Sequence, residues 1–277
     1  MKEIMDRMSL KNKILPKIIL LAEKAGKAIM EVYGDQDFGV TLKADHSPLT
    51  RADLAAHRII LSDLQNLTPD IPAISEESEE ISYEKRRTWP VYWLIDPLDG
   101  TKEFIKRNTG FSVNIAMIRE GKPVLGVVHA PALGITFYAV DQSGAFKKVT
   151  GQGPIPIHAS DYREDKLKVV TSQSHIGGTL ERFLETMENY EVLRAGSSIK
   201  LCMVAEGSAH LYPRFGKTME WDTAAAHCIV KEAGGSVTDM QGYPLHYNKT
   251  DLENPEFLVR GNPPFPVKKE LLLEIRS

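Results

Sequence analysis

Asp96 and Asp99 stand three residues apart in the stretch Trp93-Leu-Ile-Asp-Pro-Leu-Asp-Gly-Thr101, where an apolar, β-rich run enters a turn. Two further acidic sets lie far off along the chain, Glu76-Glu77 upstream and Glu220-Trp221-Asp222 downstream. Carboxylates are hard oxygen donors. Several of them converging in one pocket would make a site for Mg²⁺ and, through it, for phosphate, whose oxygens replace the waters that this ion retains. Pro97 presets φ for a turn that lets both aspartates converge, and it could point the Leu98 carbonyl inward as another oxygen donor. Gly100 allows close backbone approach. The amides of Gly100 and Thr101 would then head a short helix over residues 102–106, a position that suits an anion.

Each motif taken singly has an ordinary structural explanation. Asp-Pro-x-Asp-Gly is composed of common turn residues. Residues 75–80 are a charge run that would solvate a loop. Asp222 could merely cap the helix that follows it, and Asp53 could be the acid of a capping box opened by Thr50. Chemistry is favoured because a hydrophobic strand delivers the aspartate turn and Thr101 follows at once.

These residues need elements to carry them. Residues 11–33 have the spacing of an amphipathic helix with Pro16 in its first turn, and residues 34–49 form a loop. A second helix follows Thr50 and ends near Leu67, before Pro69 and Pro72. Residues 73–75 would be a short strand delivering Glu76 and Glu77. Residues 91–95 would be a strand ending at Asp96-Pro97, and 111–119, 123–130 and 134–140 a strand meander. Strands over 167–171, 191–194, 209–212 and 236–238 alternate with helices over 179–188, 198–206 and 222–232, closed by Gly234-Gly235. Alternation of this kind is α/β layering. Two subdomains are expected, 1–155 with most of the acidic donors and 156–277 with Asp222.

The bulk properties narrow the class. The chain has 277 residues, 42% hydrophobic and 26% charged, with a net charge of −3. That composition is typical of a globular enzyme and does not favour an extended nucleic-acid surface, which needs a basic excess. Cys202 and Cys228 each sit in an apolar run, so two buried thiols and a reducing cytoplasm are the simplest expectation. No apolar run is long enough to span a membrane. Peripheral attachment to the cytoplasmic face of an inner membrane stays open, as does the choice between monomer and homodimer.

Taken together, Glu76-Glu77, Asp96-Pro-Leu-Asp99-Gly-Thr101 and Trp221-Asp222-Thr-Ala-Ala, followed by Glu232-Ala-Gly-Gly, resemble the inositol monophosphatase superfamily from about residue 11 to residue 260. These are Mg²⁺-dependent, Li⁺-sensitive phosphatases with a layered αβαβα sandwich. A narrower resemblance, to the CysQ-type 3′(2′),5′-bisphosphate nucleotidases, rests on four stretches: Lys43-Ala-Asp-His-Ser-Pro-Leu-Thr-Arg-Ala-Asp53, Lys102-Glu-Phe-Ile-Lys-Arg-Asn108, Gly196-Ser-Ser-Ile-Lys200 and Leu211-Tyr-Pro-Arg-Phe-Gly216. His46 departs from that pattern, which more usually has asparagine.

The resemblance implies hydrolysis of adenosine 3′,5′-bisphosphate to AMP and phosphate, with phosphoadenosine phosphosulfate as a second candidate substrate. It implies two or three Mg²⁺ ions, one on Glu76, Asp96 and the Leu98 carbonyl and one on Asp96, Asp99 and Asp222, with Glu77 supporting a further ion or its waters. Thr101, paired with Asp53, would orient the attacking water. Gly100, Thr101, His175, Ser197, Lys200 and Arg214 would join Glu76, Leu98, Asp99 and Asp222 in contacting substrate, with Lys200 and Arg214 suited to the distal phosphate. An inositol monophosphatase, a sugar bisphosphatase, or a non-catalytic nucleotide- or metal-binding regulator are the alternatives.

Overall fold

The computed structural model describes residues 6–160, 166–172 and 178–264. In chain order the helices are α1 (Arg7–Ser9), α2 (Leu15–Tyr33), α3 (Arg51–Leu67), α4 (Tyr83–Arg86), α5 (Thr101–Ile105), α6 (Gly178–Glu185), α7 (Ile199–Ala205) and α8 (Glu220–Glu232). The strands are β1 (Thr41–Leu42), β2 (Pro48–Leu49), β3 (Ala73–Ser75), β4 (Val91–Asp99), β5 (Ser112–Arg119), β6 (Lys122–Ala130), β7 (Ile135–Val140), β8 (Ala145–Val149) and β9 (Ile155–Ile157). They continue with β10 (Leu167–Ser172), β11 (Tyr190–Ala195), β12 (Leu211–Arg214), β13 (Ser236–Asp239) and β14 (Phe257–Arg260).

A seven-stranded sheet has the order β3-β4-β5-β6-β7-β8-β9 and a five-stranded sheet the order β11-β10-β12-β14-β13. The alternation of side chains along each strand explains the layers. Val91, Trp93 and Ile95 of β4 face a core made with α2 and α3, whereas Tyr92 and Leu94 face a second core made with α7 and α8. In the smaller sheet Val170, Tyr212 and Val259 turn toward that same second core, and Val169, Leu211 and Leu258 turn toward Phe183 of α6. The layering is therefore α2/α3, large sheet, α7/α8, small sheet, α6, the αβαβα sandwich the sequence led us to expect.

Several boundaries differ from the sequence reading for physical reasons. A π segment, Leu10–Ile14, precedes α2. Pro16 has no N–H to give, and the adjacent Leu15 amide reaches back five residues to the Leu10 carbonyl. Residues 34–49 hold the β1–β2 hairpin. β4 does not stop at Asp96 but runs on to Asp99, with a register shift against β5 between these two aspartates. That irregularity takes up Pro97, which cannot donate to a ladder. α8 starts at Glu220, two residues before the expected Asp222. β8, β9 and β14 were not anticipated.

Candidate active site

The floor of the site is the end of β4. Asp96 is 1% exposed, and its Oδ1 accepts the Leu98 amide at 3.0 Å. Gly100 then turns the chain into α5 with φ of 91°; a Cβ there would stand 2.9 Å from the Gly110 carbonyl, so only glycine fits. Phe104 of α5 packs against Tyr33, Phe38 and Phe111 with ring centroids 4.8–5.3 Å apart, and this apolar anchor holds the aspartate turn in place.

Asp222 comes from a distant part of the chain, at the N-terminus of α8. Its Oδ2 caps that helix by accepting the Met219 amide at 2.9 Å. α8 can lie this close to the large sheet because Gly126 of β6 has no side chain; a Cβ would collide with the Ala225 carbonyl. Carboxylate oxygens of Asp96, Asp99 and Asp222 come within 4.8 Å of one another. Glu76, after β3, is near enough to raise the Asp96 pKa but is not one of that trio.

Bringing these charges together has an electrostatic cost. Burial raises the Asp96 pKa first, and the neighbouring Glu76, Asp99 and Asp222 raise it further. Asp222 is raised by burial and by Asp99. Asp99 is raised by burial but restrained by Lys200, by the Ser198 amide and by Asn114. Three oxygen donors that repel one another, Asp96 buried and Asp99 and Asp222 half-buried, fit a small hard divalent cation.

Thr101 Oγ1 lies 3.2 Å from Asp53 Oδ1 and 3.2 Å from the Leu98 carbonyl. Asp53 also closes the α3 capping box, with Oδ2 accepting the Thr50 amide at 2.8 Å and the Thr50 hydroxyl at 2.5 Å. Burial raises the Asp53 pKa against those hydrogen bonds. The capping reading and the site reading of Asp53 and Asp222 are thus compatible, because each carboxylate has a second oxygen to spend.

Glu77 is pushed up to about 7, chiefly by burial, while Lys43 opposes the shift. Lys43 was not singled out as a site residue. From the β1–β2 hairpin its Nζ reaches Glu76 at 2.8 Å and Glu77 at 2.6 Å. Asn114 was also missed. It donates to Asp99 Oδ2 at 3.3 Å and accepts the Ser198 hydroxyl at 2.7 Å, with the Ser112 hydroxyl nearby at 3.2 Å. A lone amide inside the apolar strand Phe111-Ser-Val-Asn-Ile-Ala-Met117 was the available signal.

The mouth is a cavity of about 510 Å³ lined in part by Glu76, Asp99, Thr101, Ser197, Lys200 and Arg214. Lys200 is 6% exposed; its Nζ donates to the Ser197 carbonyl at 2.6 Å and lies over the Tyr212 ring. Burial lowers its pKa to about 8 against the attraction of Asp99. Arg214, expected to suit the distal phosphate, is held by its own loop. Its guanidinium already donates to the Gly216 and Lys217 carbonyls at 3.1 and 2.8 Å and to the Ser172 hydroxyl at 3.2 Å. His175 lies outside the described residues.

A layered α/β fold and an acid cluster where the large sheet meets α8 define a class, and comparison with known proteins identifies it. The chain belongs to the inositol monophosphatase family, whose model matches residues 11–273. Enzymes of this family are metal-dependent. Among curated proteins, the chain is 48% identical over 248 residues to the 3′(2′),5′-bisphosphate nucleotidase CysQ of Escherichia coli O6:H1, covering 89% of this chain and 99% of that protein. Among solved structures, it is similar to CysQ from Bacteroides thetaiotaomicron, with a TM-score of 0.76 and 42% identity over 87% of this chain and 94% of that one. It is also similar to a Thermotoga maritima IMPase, with a TM-score of 0.75 and 29% identity over 95% of this chain and 96% of that one.

Proposed function

We propose that this chain is a Mg²⁺-dependent 3′(2′),5′-bisphosphate nucleotidase that removes the 3′-phosphate of adenosine 3′,5′-bisphosphate to leave AMP. The observation that carries the reading is the convergence of Asp96, Asp99 and Asp222, distant in sequence, beneath a cavity that also presents Lys200. The CysQ relatives, matched over nearly their whole length, support the substrate.

Glu76, Asp96 and the Leu98 carbonyl would hold one ion, and Asp96, Asp99 and Asp222 a second. Glu77 would hold a third ion or its waters. Bound divalent cations would neutralise phosphate charge and acidify a coordinated water. The chain's own residues do the rest. Thr101 would orient the attacking water and take up its proton while passing its own hydroxyl proton to Asp53, which burial makes a better base. The Gly100 and Thr101 amides, at the start of α5, would donate to the phosphate. Lys200 supplies positive charge to the distal 5′-phosphate, with Ser197 and Arg214 shaping that end of the pocket. In this division residues 1–155 contribute most ion donors and residues 156–277 contribute Asp222 and the distal contacts. Two buried free thiols suit a cytoplasmic enzyme, and no helix among the described residues is long and apolar enough to cross a membrane.

The test is a side-by-side measurement of phosphate release from adenosine 3′,5′-bisphosphate, inositol 1-phosphate and fructose 1,6-bisphosphate with Mg²⁺, with and without Li⁺. Preference for the nucleotide and loss of turnover with Li⁺ are expected. A preference for inositol 1-phosphate or the sugar would replace the substrate assignment, and no turnover of any would remove it.

A further inference from the structure

A second cavity, of about 540 Å³, lies away from the acid cluster, among the start of β6, the C-terminal half of α8, and β13 with the segment that folds back on it. It is as large as the catalytic cavity and differently built. Its walls are apolar at Pro123, Val237 and Leu245. The returning segment is fastened by the Leu245 amide on the Val237 carbonyl at 3.3 Å and by the Tyr247 amide on the Gly121 carbonyl at 3.1 Å. Gly121 is needed there, at φ of 72°, because any Cβ would strike the His246 ring.

The polar groups at this cavity are few and not all of them are spent. Lys231 is neutralised by Asp141 at 2.6 Å, with Glu232 at 4.0 Å, a carboxylate already held by the Ser143 and Gly144 amides. Lys122 has no carboxylate partner among the described residues, which leaves one uncompensated cation at the mouth. His227 is 6% exposed, with Nδ1 engaged by the Tyr247 hydroxyl at 2.9 Å, so only its Nε2 remains for a ligand. Burial keeps that ring neutral. Ser236 is also in the lining, but its hydroxyl is turned inward, buried and without a hydrogen-bond partner. Concave, largely apolar walls with a few convergent polar groups are the usual form of a small-molecule site.

From this combination we propose that the cavity is a second ligand site, selective for a small monoanion with an apolar body, such as an aromatic carboxylate. The single free charge of Lys122 sets the ligand's charge at one. Val237, Leu245 and Pro123 cover its carbon skeleton, and His227 Nε2 offers a neutral hydrogen bond. Diphosphates and other multiply charged ligands are disfavoured, because Asp141 already claims the second lysine. The assignment is independent of the reaction carried out at the acid cluster.

The probe is 2-naphthoate, titrated calorimetrically into the full chain in Mg²⁺ buffer, with the uncharged 2-naphthamide in parallel. Saturable binding of one naphthoate per chain is expected, weakened about five- to ten-fold by Lys122→Ala and by the amide probe, and unchanged by Lys200→Ala in the catalytic cavity. Lys122 is an exposed residue, so its replacement leaves the fold intact. Absence of saturable binding up to about 10 mM would overturn the proposal. Equal affinity in Lys122→Glu would overturn it too, as would sensitivity to Lys200→Ala without sensitivity to Lys122→Ala.

Discussion

Asp99 Oδ2 accepts the backbone amide of Ser198 at 2.7 Å, so an acid carried by the large sheet is oriented by the turn that opens α7 against the small sheet. Asn114 completes the hold on the same oxygen. The Asp99 carboxylate is thus aimed before any cation arrives, and its other oxygen is left for the cluster. Outer hydrogen bonds of this sort tune metal sites strongly.

Asn114→Ala should therefore weaken both stability and ion binding. Losing a buried amide that is bonded at both ends should cost about 1–3 kcal/mol in unfolding free energy. Mg²⁺ activation should need roughly 10- to 100-fold more ion. Thermal unfolding and a Mg²⁺ titration of turnover check the two effects; a variant with the wild-type Mg²⁺ midpoint would show that Asn114 serves packing alone.

The acid cluster predicts how stability of the cation-free protein varies with pH. The folded-state pKa of Asp96 lies above its unfolded value, so its contribution is fully present below the unfolded value and is lost as pH rises through the folded one. Added Mg²⁺ should restore more stability at pH 8 than at pH 6, since the ion competes with protons. Asp96→Asn should flatten the rise in that Mg²⁺ effect and remove nearly all turnover. Melting temperatures with and without Mg²⁺ across this range are the measurement; turnover near the wild-type rate in the variant would refute the assignment of Asp96.

His227 predicts the opposite slope in a separate window. Its imidazole is buried against Tyr247 and pushed down to about 4 from 6.5. A depressed folded value means stability present above pH 6.5 and lost as pH falls toward 4. At about 1.4 kcal/mol per pH unit the loss is roughly 3 kcal/mol. His227→Gln should remove that portion of the acid limb in chemical-denaturation curves, and an unchanged acid limb would contradict a neutral buried ring.

Lys200→Ala should separate the two ends of the substrate. With a buried ammonium removed from the mouth of the cavity, KM for adenosine 3′,5′-bisphosphate should rise about ten- to a hundred-fold, and KM for a simple phosphomonoester much less. Steady-state kinetics on both decide it. Equal losses would place Lys200 at the acid cluster instead, where its attraction to Asp99 also acts.

How much of this was legible beforehand depended on whether the signal was local. Thr50 and Asp53 announced α3, because a capping box is written within four residues, and the helix ends at Leu67 as read. The stretch from Trp93 to Thr101 announced an acidic turn, because proline and glycine act on their own backbone. β9 is Ile-Pro-Ile and β14 only four residues; neither has an alternation long enough to be seen without its partner strand. Placing Asp222 beside Asp96 needed the family resemblance, since helix α8 docks through the bare backbone of Gly126, a long-range fact. Lys43 escaped notice because its reach to Glu76 and Glu77 is set by the β1–β2 hairpin, and the hold of the Gly216 and Lys217 carbonyls on Arg214 depends on a loop that curls back without a local signal.

The split origin of the acid cluster has a consequence for biosynthesis. A nascent polypeptide carries Asp96 and Asp99 out of the ribosome long before Asp222 exists, so the large sheet can begin to form while mutual repulsion among the three is still incomplete. The electrostatic burden falls on the closing steps, when α8 comes down across Gly126. A free divalent cation in the surroundings would then act as a late assembly factor, drawing α8 and the chain around it onto the large sheet.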